Sequence, residues 1–373
     1  MGGWRIRGRA VLAAALLRVT SAAAATTVEP IARLTLEGGY DSNARYDGHS
    51  ADQVAKVAPE VGVRLRDHTY VLIGTYGGEY VWYEQLAPRG AWNQRGGLQL
   101  DAHLDRRTSL AGDLRVSEVF DPAALAQAGV FRPGGQRALL AGGRARLEWR
   151  TDRLDAVAIT YAERTVVFED GTGGAMHAPG VEALRRVDER LSLGAAYAFG
   201  AYQTFQPGAD ARATSHGVRL RARWRAERHL ALEAWVGPAL WIPEGSAAVV
   251  PEAFVEALHS TRGLDLRVNA GHGLGIGATA QPGLVDAAEV GLERRFGRDW
   301  FVRGDGGLWH SGAAPTGEGA VTGYAGAAEA GVILAGGLRL SLRGAHYGRA
   351  DAAVAMYRRT TLGLRLGWEL RAR

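Results

Sequence analysis

Arginine is the residue type whose spacing in this sequence could do chemistry. Arg219, Arg221, Arg223 and Arg225 occupy every second position, and Arg144, Arg146 and Arg150 repeat that spacing around Glu148. A guanidinium fork binds a carboxylate or phosphate through two parallel hydrogen bonds. Two readings follow: an anion-attracting track for acidic polysaccharide or small anions, or a salt-bridge mesh that stiffens a wall. Ser215–His216 is the nearest approach to a serine nucleophile and its base, but neither a nucleophile elbow nor an evident acid accompanies it. Gly271 to Gly277 alternates glycine without the spacing or following helix of a dinucleotide loop. Asp170-Gly171-Thr172-Gly173-Gly174 reads as a flexible turn rather than a calcium loop. His103, His216, His259, His272, His310 and His346 are scattered, with no zinc spacing. No catalytic residue, cofactor-binding residue or metal ligand is therefore named, and no enzyme or cofactor is expected.

The elements that must position these arginines are strands. Between Val218 and Trp224 the apolar residues alternate with the arginines, and period-2 alternation puts the two sets on opposite faces. The pattern returns along the chain, as in Leu34, Leu36 and Tyr40 against Arg33 and Glu37, or Leu264, Leu266 and Val268 against Asp265 and Arg267. Leu362, Leu364, Leu366 and Trp368 oppose Gly363, Arg365 and Glu369 in the same way. The count is about eighteen strands, or sixteen if one weak pair does not form. Segments 121–136 and 169–184 read as long loops, 201–205 as a short return strand, and the strand near 253–260 fits poorly because Glu256 falls on an awkward parity. Short turns such as Asp67-His68 and Asp105 to Arg107 alternate with longer connections. That asymmetry predicts an all-β, single-domain, transmembrane antiparallel up-and-down β-barrel over residues 26–373, with both termini periplasmic.

Composition agrees with this class. The 373 residues carry 44 basic and 39 acidic side chains, a formal net charge of +5. So small an excess gives no nucleic-acid footprint. The absence of cysteine excludes a disulfide scaffold, and 52 glycines suit close strand packing. Residues 1–25 read as a signal peptide, with a basic Arg5, Arg7 and Arg9 region, an apolar core and a small-residue site at Ala22 to Ala25. No later stretch reaches the roughly 18 apolar residues of a spanning helix. Aromatics fall into two groups, Trp149, Trp224, Trp300 and Trp368 beside the short turns or the C-terminal end, and Tyr40, Tyr80, Trp82, Phe120, Phe168, Trp241 and Trp309 toward the longer loops. Two such groups match the girdles of a membrane barrel.

With the apolar faces on lipid, the polar faces line a lumen. Its candidate lining is Arg144, Arg146, Glu148, Arg219, Arg221, Arg223, Arg225, Glu233, Arg267, Arg339, Arg343 and Arg365. About eighteen strands enclose an aqueous channel unless loops or side chains plug it.

The first strand ends in Tyr40-Asp41-Ser42-Asn43. A strand with this ending soon after a signal peptide resembles the "beta-barrel porin 2"-like outer-membrane barrels. The ladder of strands is also similar to barrels proposed as the last portal of myxobacterial polysaccharide secretion. The resemblance implies a bacterial outer-membrane conduit for exopolysaccharide export. Its implied partners are outer-membrane lipid and lipopolysaccharide, the polysaccharide, periplasmic export proteins and the barrel-assembly machinery. Two alternatives are a general or solute-specific uptake porin, and a non-transporting barrel acting as adhesin, scaffold or rim-site enzyme.

Overall fold

The computed structural model describes residues 26–44, 50–85, 90–120, 130, 137–208, 210–277, 279–317, 319–349 and 358–370. The proposed signal peptide, most of the 121–136 loop and the last three residues lie outside them. Eighteen strands follow in chain order: β1 (Thr27–Asp41), β2 (Asp52–Arg66), β3 (Tyr70–Tyr83), β4 (Gly90–His103), β5 (Thr108–Val119) and β6 (Ala138–Arg150). Next come β7 (Asp155–Phe168), β8 (Gly173–Arg186), β9 (Leu191–Phe205), β10 (Ala211–Glu227), β11 (Leu230–Pro243) and β12 (Ala248–Ser260). The set ends with β13 (Leu264–Ile276), β14 (Pro282–Phe296), β15 (Trp300–Gly312), β16 (Val321–Ile333), β17 (Leu338–Arg349) and β18 (Arg359–Glu369). Each strand pairs antiparallel with the next, and β1 also pairs with β18, so the sheet closes on itself. Among the described residues no helix is long and apolar enough to cross a membrane.

The number of strands is the one expected, yet two departures cancel within it. Segment 169–184 is not a loop: from Gly173 it forms β8. Residues 201–205 are not a separate return strand but the end of β9. β8 carries Gly174, Ala178 and Gly180 on its inner face and Pro179 on its outer face, which weakens the apolar contrast that marks a strand. Its ladder to β9 passes from His177–Ala201 to Gly180–Ala198 across the proline, which has no N–H to donate. Asp188 then lies in the β8–β9 turn. Glu256 fits β12 well, since it faces inward with Phe254 and bonds Arg267 Nε at 2.7 Å.

The two faces separate chemically. Leu34, Leu36, Leu220, Val268, Leu342, Leu364 and Leu366 stand exposed on the outside, where a water-soluble protein would have to bury them. Trp149, Trp224, Trp300 and Trp368 are exposed at the short-turn end, and Tyr80 and Trp82 at the other. An apolar band between two aromatic girdles is the outer surface of a barrel that stands in lipid. The protein is an outer-membrane β-barrel. Phe168, Trp241 and Trp309 depart from the expected girdle: their strand positions turn them inward, where they are 3%, 5% and 7% exposed and fill the lumen's long-loop end.

The Tyr40-Asp41-Ser42-Asn43 motif lies at the seam between the first and last strands. The buried Arg359 of β18 donates from Nε to both oxygens of the buried Asp41 carboxylate, at 2.8 and 2.7 Å, and from Nη2 to the same carboxylate. Nη2 also reaches the Tyr83 hydroxyl at 3.1 Å. Asn43 Nδ2 bonds the Arg358 carbonyl at 2.8 Å, and the Thr360 N–H donates to the Ser42 hydroxyl at 2.8 Å. A buried pair broken on one side leaves an uncompensated charge, at a cost of about 3–5 kcal/mol. Asp41→Ala should therefore lower the temperature at which the folded barrel loses its fast mobility on unboiled SDS gels. Asp41→Glu should restore part of the loss.

The short turns are built from aspartates. Asp105, Asp152 and Asp188 each accept two backbone N–H bonds, from residues two and three positions on, at 2.6 and 2.8 Å. These donors hold the three carboxyls below the ordinary carboxylate range: Arg107 N–H foremost for Asp105, Leu154 N–H for Asp152 and Arg190 N–H for Asp188. A lowered value means that their stabilisation is present above the unfolded-state range and is lost as pH falls through the folded-state values. Urea midpoints in detergent should drop on acidification. The Asp105→Asn/Asp152→Asn/Asp188→Asn variant should lack that part of the drop, because asparagine keeps an acceptor but gains no proton.

Candidate functional site

The inner wall is where the charged side chains meet. Inward positions follow from strand parity, so Arg219, Arg221 and Arg223 share one face with Glu233 of β11 and Glu182 of β8. Glu182 is 1% exposed and gathers three guanidinium groups: Arg146 Nη1 at 2.9 Å, Arg223 Nη2 at 3.3 Å and Arg221. Its register neighbours are Ala158 and Ala196, and these small side chains let the arginines of β6 and β10 reach over from two strands away. Arg223 and Arg221 also bond Glu233, and Arg219 bonds Glu252 of β12 at 2.8 Å.

A second knot lies across the seam. Glu329 of β16 lies 3.1 Å from Arg303 in an ion pair, and accepts from Arg365 at 3.2 Å and the Ser341 hydroxyl at 2.6 Å. Arg365 also pairs with Glu37 at 3.3 Å, and Lys56 lies 3.8 Å from the same carboxylate. Toward the short turns, Glu369 binds Arg33 at 3.0 Å and Arg339 at 2.7 Å.

Of the arginines singled out in the sequence, Arg144 pairs with Asp113, Arg146 with Glu148 and Glu182, and Arg267 with Glu256. The ladder at 219–223 is thus engaged in the salt-bridge mesh rather than standing free as a track. Arg225 is exposed at a β-bulge at the turn end, outside the mesh. Arg343 faces inward and forms no ion pair among the described residues. The acids at the centre of the mesh, Glu182 and Glu252, escape a sequence reading that places Glu182 in a loop and begins β12 at Ala253. The outward parity of His177, Pro179 and Val181 is the signal that would have found Glu182.

Beside the mesh lies a lumenal cavity of about 670 Å³ that spans β2–β7 on one wall and β17–β18 on the other. Lys56, Arg95, Arg115, Arg164, Arg343 and Arg365 line it, against the carboxylate of Glu79; that of Glu163 turns to the outer face, 3.1 Å from the Tyr161 hydroxyl. Among the described residues, the side chains of Arg115 and Arg343 form no hydrogen bond or ion pair. Arg115 stands between Gly97 and Gly142 in register, so nothing beside it competes for the guanidinium.

Above this level the lumen narrows. The β13–β14 turn folds inward, with Ala280 at a positive φ of 62° and fully buried. Ile276 and Ala280 pack against Val130, Val166 and Phe168. A Cβ on Gly174 of β8 would lie 2.7 Å from the Ala280 carbonyl oxygen, so glycine there permits the close approach of the two walls.

Ser215 and His216 cannot act together. Adjacent strand residues face opposite ways, and Ser215 is buried beside the Tyr202 hydroxyl at 3.4 Å while His216 bonds Tyr197 on the outside at 2.7 Å. Gly271 to Gly275 belong to β13, and Asp170 caps the β7–β8 turn through the Thr172 N–H at 3.0 Å.

No family model and no curated protein matches the sequence. Solved structures similar to this chain include Pseudomonas aeruginosa OccK5 (OpdH), at 10% identity and a TM-score of 0.42 over 92% of this chain and 99% of that one. Acinetobacter baumannii OccAB4 has 11% identity and a TM-score of 0.42 over 92% and 98%. The outer membrane protein OpdK of Pseudomonas aeruginosa has 11% identity and a TM-score of 0.41 over 92% and 98%. At such identities the likeness is one of strand arrangement and goes no further.

Glu182 predicts its own test. In Glu182→Gln three guanidinium groups lose their shared carboxylate, and the folded barrel should lose about 3–5 kcal/mol as judged by urea unfolding in detergent. Glu182→Asp should retain more of that stability.

Proposed function

We propose that this barrel is a passive uptake porin with a preference for small anionic solutes. The observation that carries this reading is the cationic cavity, where six basic side chains face one carboxylate, that of Glu79, and two of the arginines have no side-chain partner among the described residues. Walls of low dielectric around one sign of charge concentrate the field in the water between them, which raises the local concentration of the opposite ion. A carboxylate or phosphate solute can exchange bidentate hydrogen bonds between Arg115 and Arg343 without first breaking a structural ion pair. The mesh around Glu182 and Glu329 holds the wall on which these two groups stand.

Exopolysaccharide export, the expectation from the sequence, has less support. A polymer chain needs a continuous open bore with sugar-binding polar groups. The inward β13–β14 turn and the apolar cluster of Val130, Val166, Phe168 and Ile276 oppose that at the long-loop end. A small solute needs only the gaps between such layers.

The reading is tested by reversal potential in planar bilayers under a potassium chloride gradient. The expected result is chloride permeability above potassium permeability, with the preference falling several-fold in Arg115→Ala/Arg343→Ala. Cation selectivity, or an unchanged preference in that variant, overturns the proposal. Block of the current by a neutral or acidic polysaccharide in preference to small carboxylates would favour the export reading instead.

A further inference from the structure

One hairpin of the barrel leaves the wall. β12 pairs with β11 from Ala248 to His259, but with β13 only from Ala253–His272 to Ser260–Asp265. Residues Ala248 to Glu252 therefore present an edge with no ladder partner on the β13 side. The upper limbs of β13 and β14 stay paired with each other, from Leu274–Leu284 to Ile276–Pro282, and lie inside the ring. Leu274, Ile276 and Leu284 occupy positions that parity assigns to lipid, in line with Leu264 and Leu266 on one strand and Val290 and Leu292 on the other. Yet Leu274 and Leu284 pack against the inward-facing Tyr202, Trp241 and Val250, and Ile276 is 2% exposed among Val130, Val166 and Phe168. The Leu274 N–H reaches the Glu252 carboxylate at 3.3 Å.

The sequence of this limb suits a second position. Continuing the β12–β13 register past Ala253–His272 sets Glu252 opposite Gly273, Pro251 opposite Leu274, Val250 opposite Gly275 and Val249 opposite Ile276. On β13 each outward place then holds an apolar residue and each inward place a glycine, which is the face pattern of a strand against lipid. The alternating glycines from Gly271 to Gly277 are explained in this way, since they leave room inside for Val250 and Glu252. The apolar side chains of the hairpin thus have two places out of water, a lumenal cluster and the bilayer. Two features count against the inner one. It leaves the edge of β12 open in an otherwise closed sheet. It also holds Ala280, at the tip, at a positive φ of 62°, a conformation that packing must enforce on a residue other than glycine.

We infer that the upper β13–β14 hairpin is a gate that exchanges between these two positions. Folded in, it narrows the long-loop end of the lumen. Zipped onto β12, it completes the wall and clears that end. Zipping gains ladder hydrogen bonds along Ala248 to Glu252, and folding in gains the packing against Val166, Phe168, Tyr202 and Trp241. Each position supplies what the other gives up, which is the condition for two states of similar free energy. Phe168, Trp241 and Trp309 belong to other strands and stay at the mouth, so the exchange widens it for small solutes. The inference rests on the barrel being a conduit, though not on its preference for anions.

The sequence holds no cysteine, so an introduced pair reports on the movement without background. Val249 is 68% exposed on the outside while Ile276 is buried within, so the two cannot meet in the folded-in position. Zipped, they stand directly opposite, within reach of a disulfide. Val249→Cys/Ile276→Cys, folded in lipid vesicles and oxidised, should cross-link, as read by mass spectrometry of the joined peptides. The oxidised barrel should show a several-fold larger single-channel conductance in potassium chloride, reversed by dithiothreitol. Gly174→Ala leaves the hairpin sequence intact but would set a Cβ 2.7 Å from the Ala280 carbonyl oxygen. It disfavours the folded-in position and should lengthen the time spent at the larger conductance. Fast mobility on unboiled gels verifies that each variant is folded. A folded barrel that yields no joined peptide, or a cross-linked barrel whose conductance is unchanged, overturns the inference. Joined peptides with no current in either redox state would overturn the porin reading while supporting the movement of the hairpin.

Discussion

Backbone hydrogen bonding in hydrocarbon is the constraint on which this structure depends. A strand in lipid has no water to satisfy an unpaired edge, and each orphaned N–H or C=O would cost several kcal/mol. Eighteen strands remove the problem only if the first meets the last. Here β1 and β18 do so over the register from Arg33–Glu369 to Asp41–Thr361. The Asp41–Arg359 pair sits at the long-loop end of that seam, fully desolvated and braced by Tyr83. It links residues 318 positions apart, so its formation reports closure of the whole ring. The four-residue motif at the end of β1 thus serves the seam rather than the lumen.

Closure creates an interior, and the interior sets a second problem. Many arginines and carboxylates are turned toward the lumen, and the buried carboxylates among them are shared between several cations. Glu182 and Glu329 each serve several cations, and small neighbours such as Ala158 and Ala196 make room for arginines from two strands away. Where the neighbours shrink to glycine and no acid follows, as around Arg115, a guanidinium is left without a side-chain partner among the described residues. Arginines held in the mesh and arginines without a side-chain partner among the described residues therefore have the same sequence signature and differ only in what stands across the lumen.

Height along the barrel divides the labour further. Apolar side chains fill the long-loop end, including Trp241, Trp309 and Phe168, while ion pairs occupy the middle. On the outside the order differs: leucine and valine form the middle band, with Trp149, Trp224, Trp300 and Trp368 at one edge and histidines, tyrosines and Trp82 at the other. The same strands thus present two different profiles, because alternate residues answer to lipid and to lumenal water.

Alternation by itself determined the class of this protein. Because successive strand residues face opposite sides, Leu362, Leu364 and Leu366 against Arg365 and Glu369 could be assigned to lipid and lumen without coordinates, and the regular turns implied the up-and-down order. The girdle tryptophans at 149, 224, 300 and 368 were legible for the same reason. β8 was not, since glycine, alanine and Pro179 flatten the contrast on which parity depends, and with it Glu182 was hidden. Trp241 and Trp309 were assigned by their nearness to loops when parity already placed them inside. What only the tertiary structure decided was partnership: that Arg219, Arg221 and Arg223 are neutralised while Arg115 and Arg343 are not, and that the tip of the β13–β14 hairpin lies inside the ring. Those facts depend on the stagger between strands and on contacts across the ring. Such relations join residues far apart in the chain, and local periodicity carries no record of them.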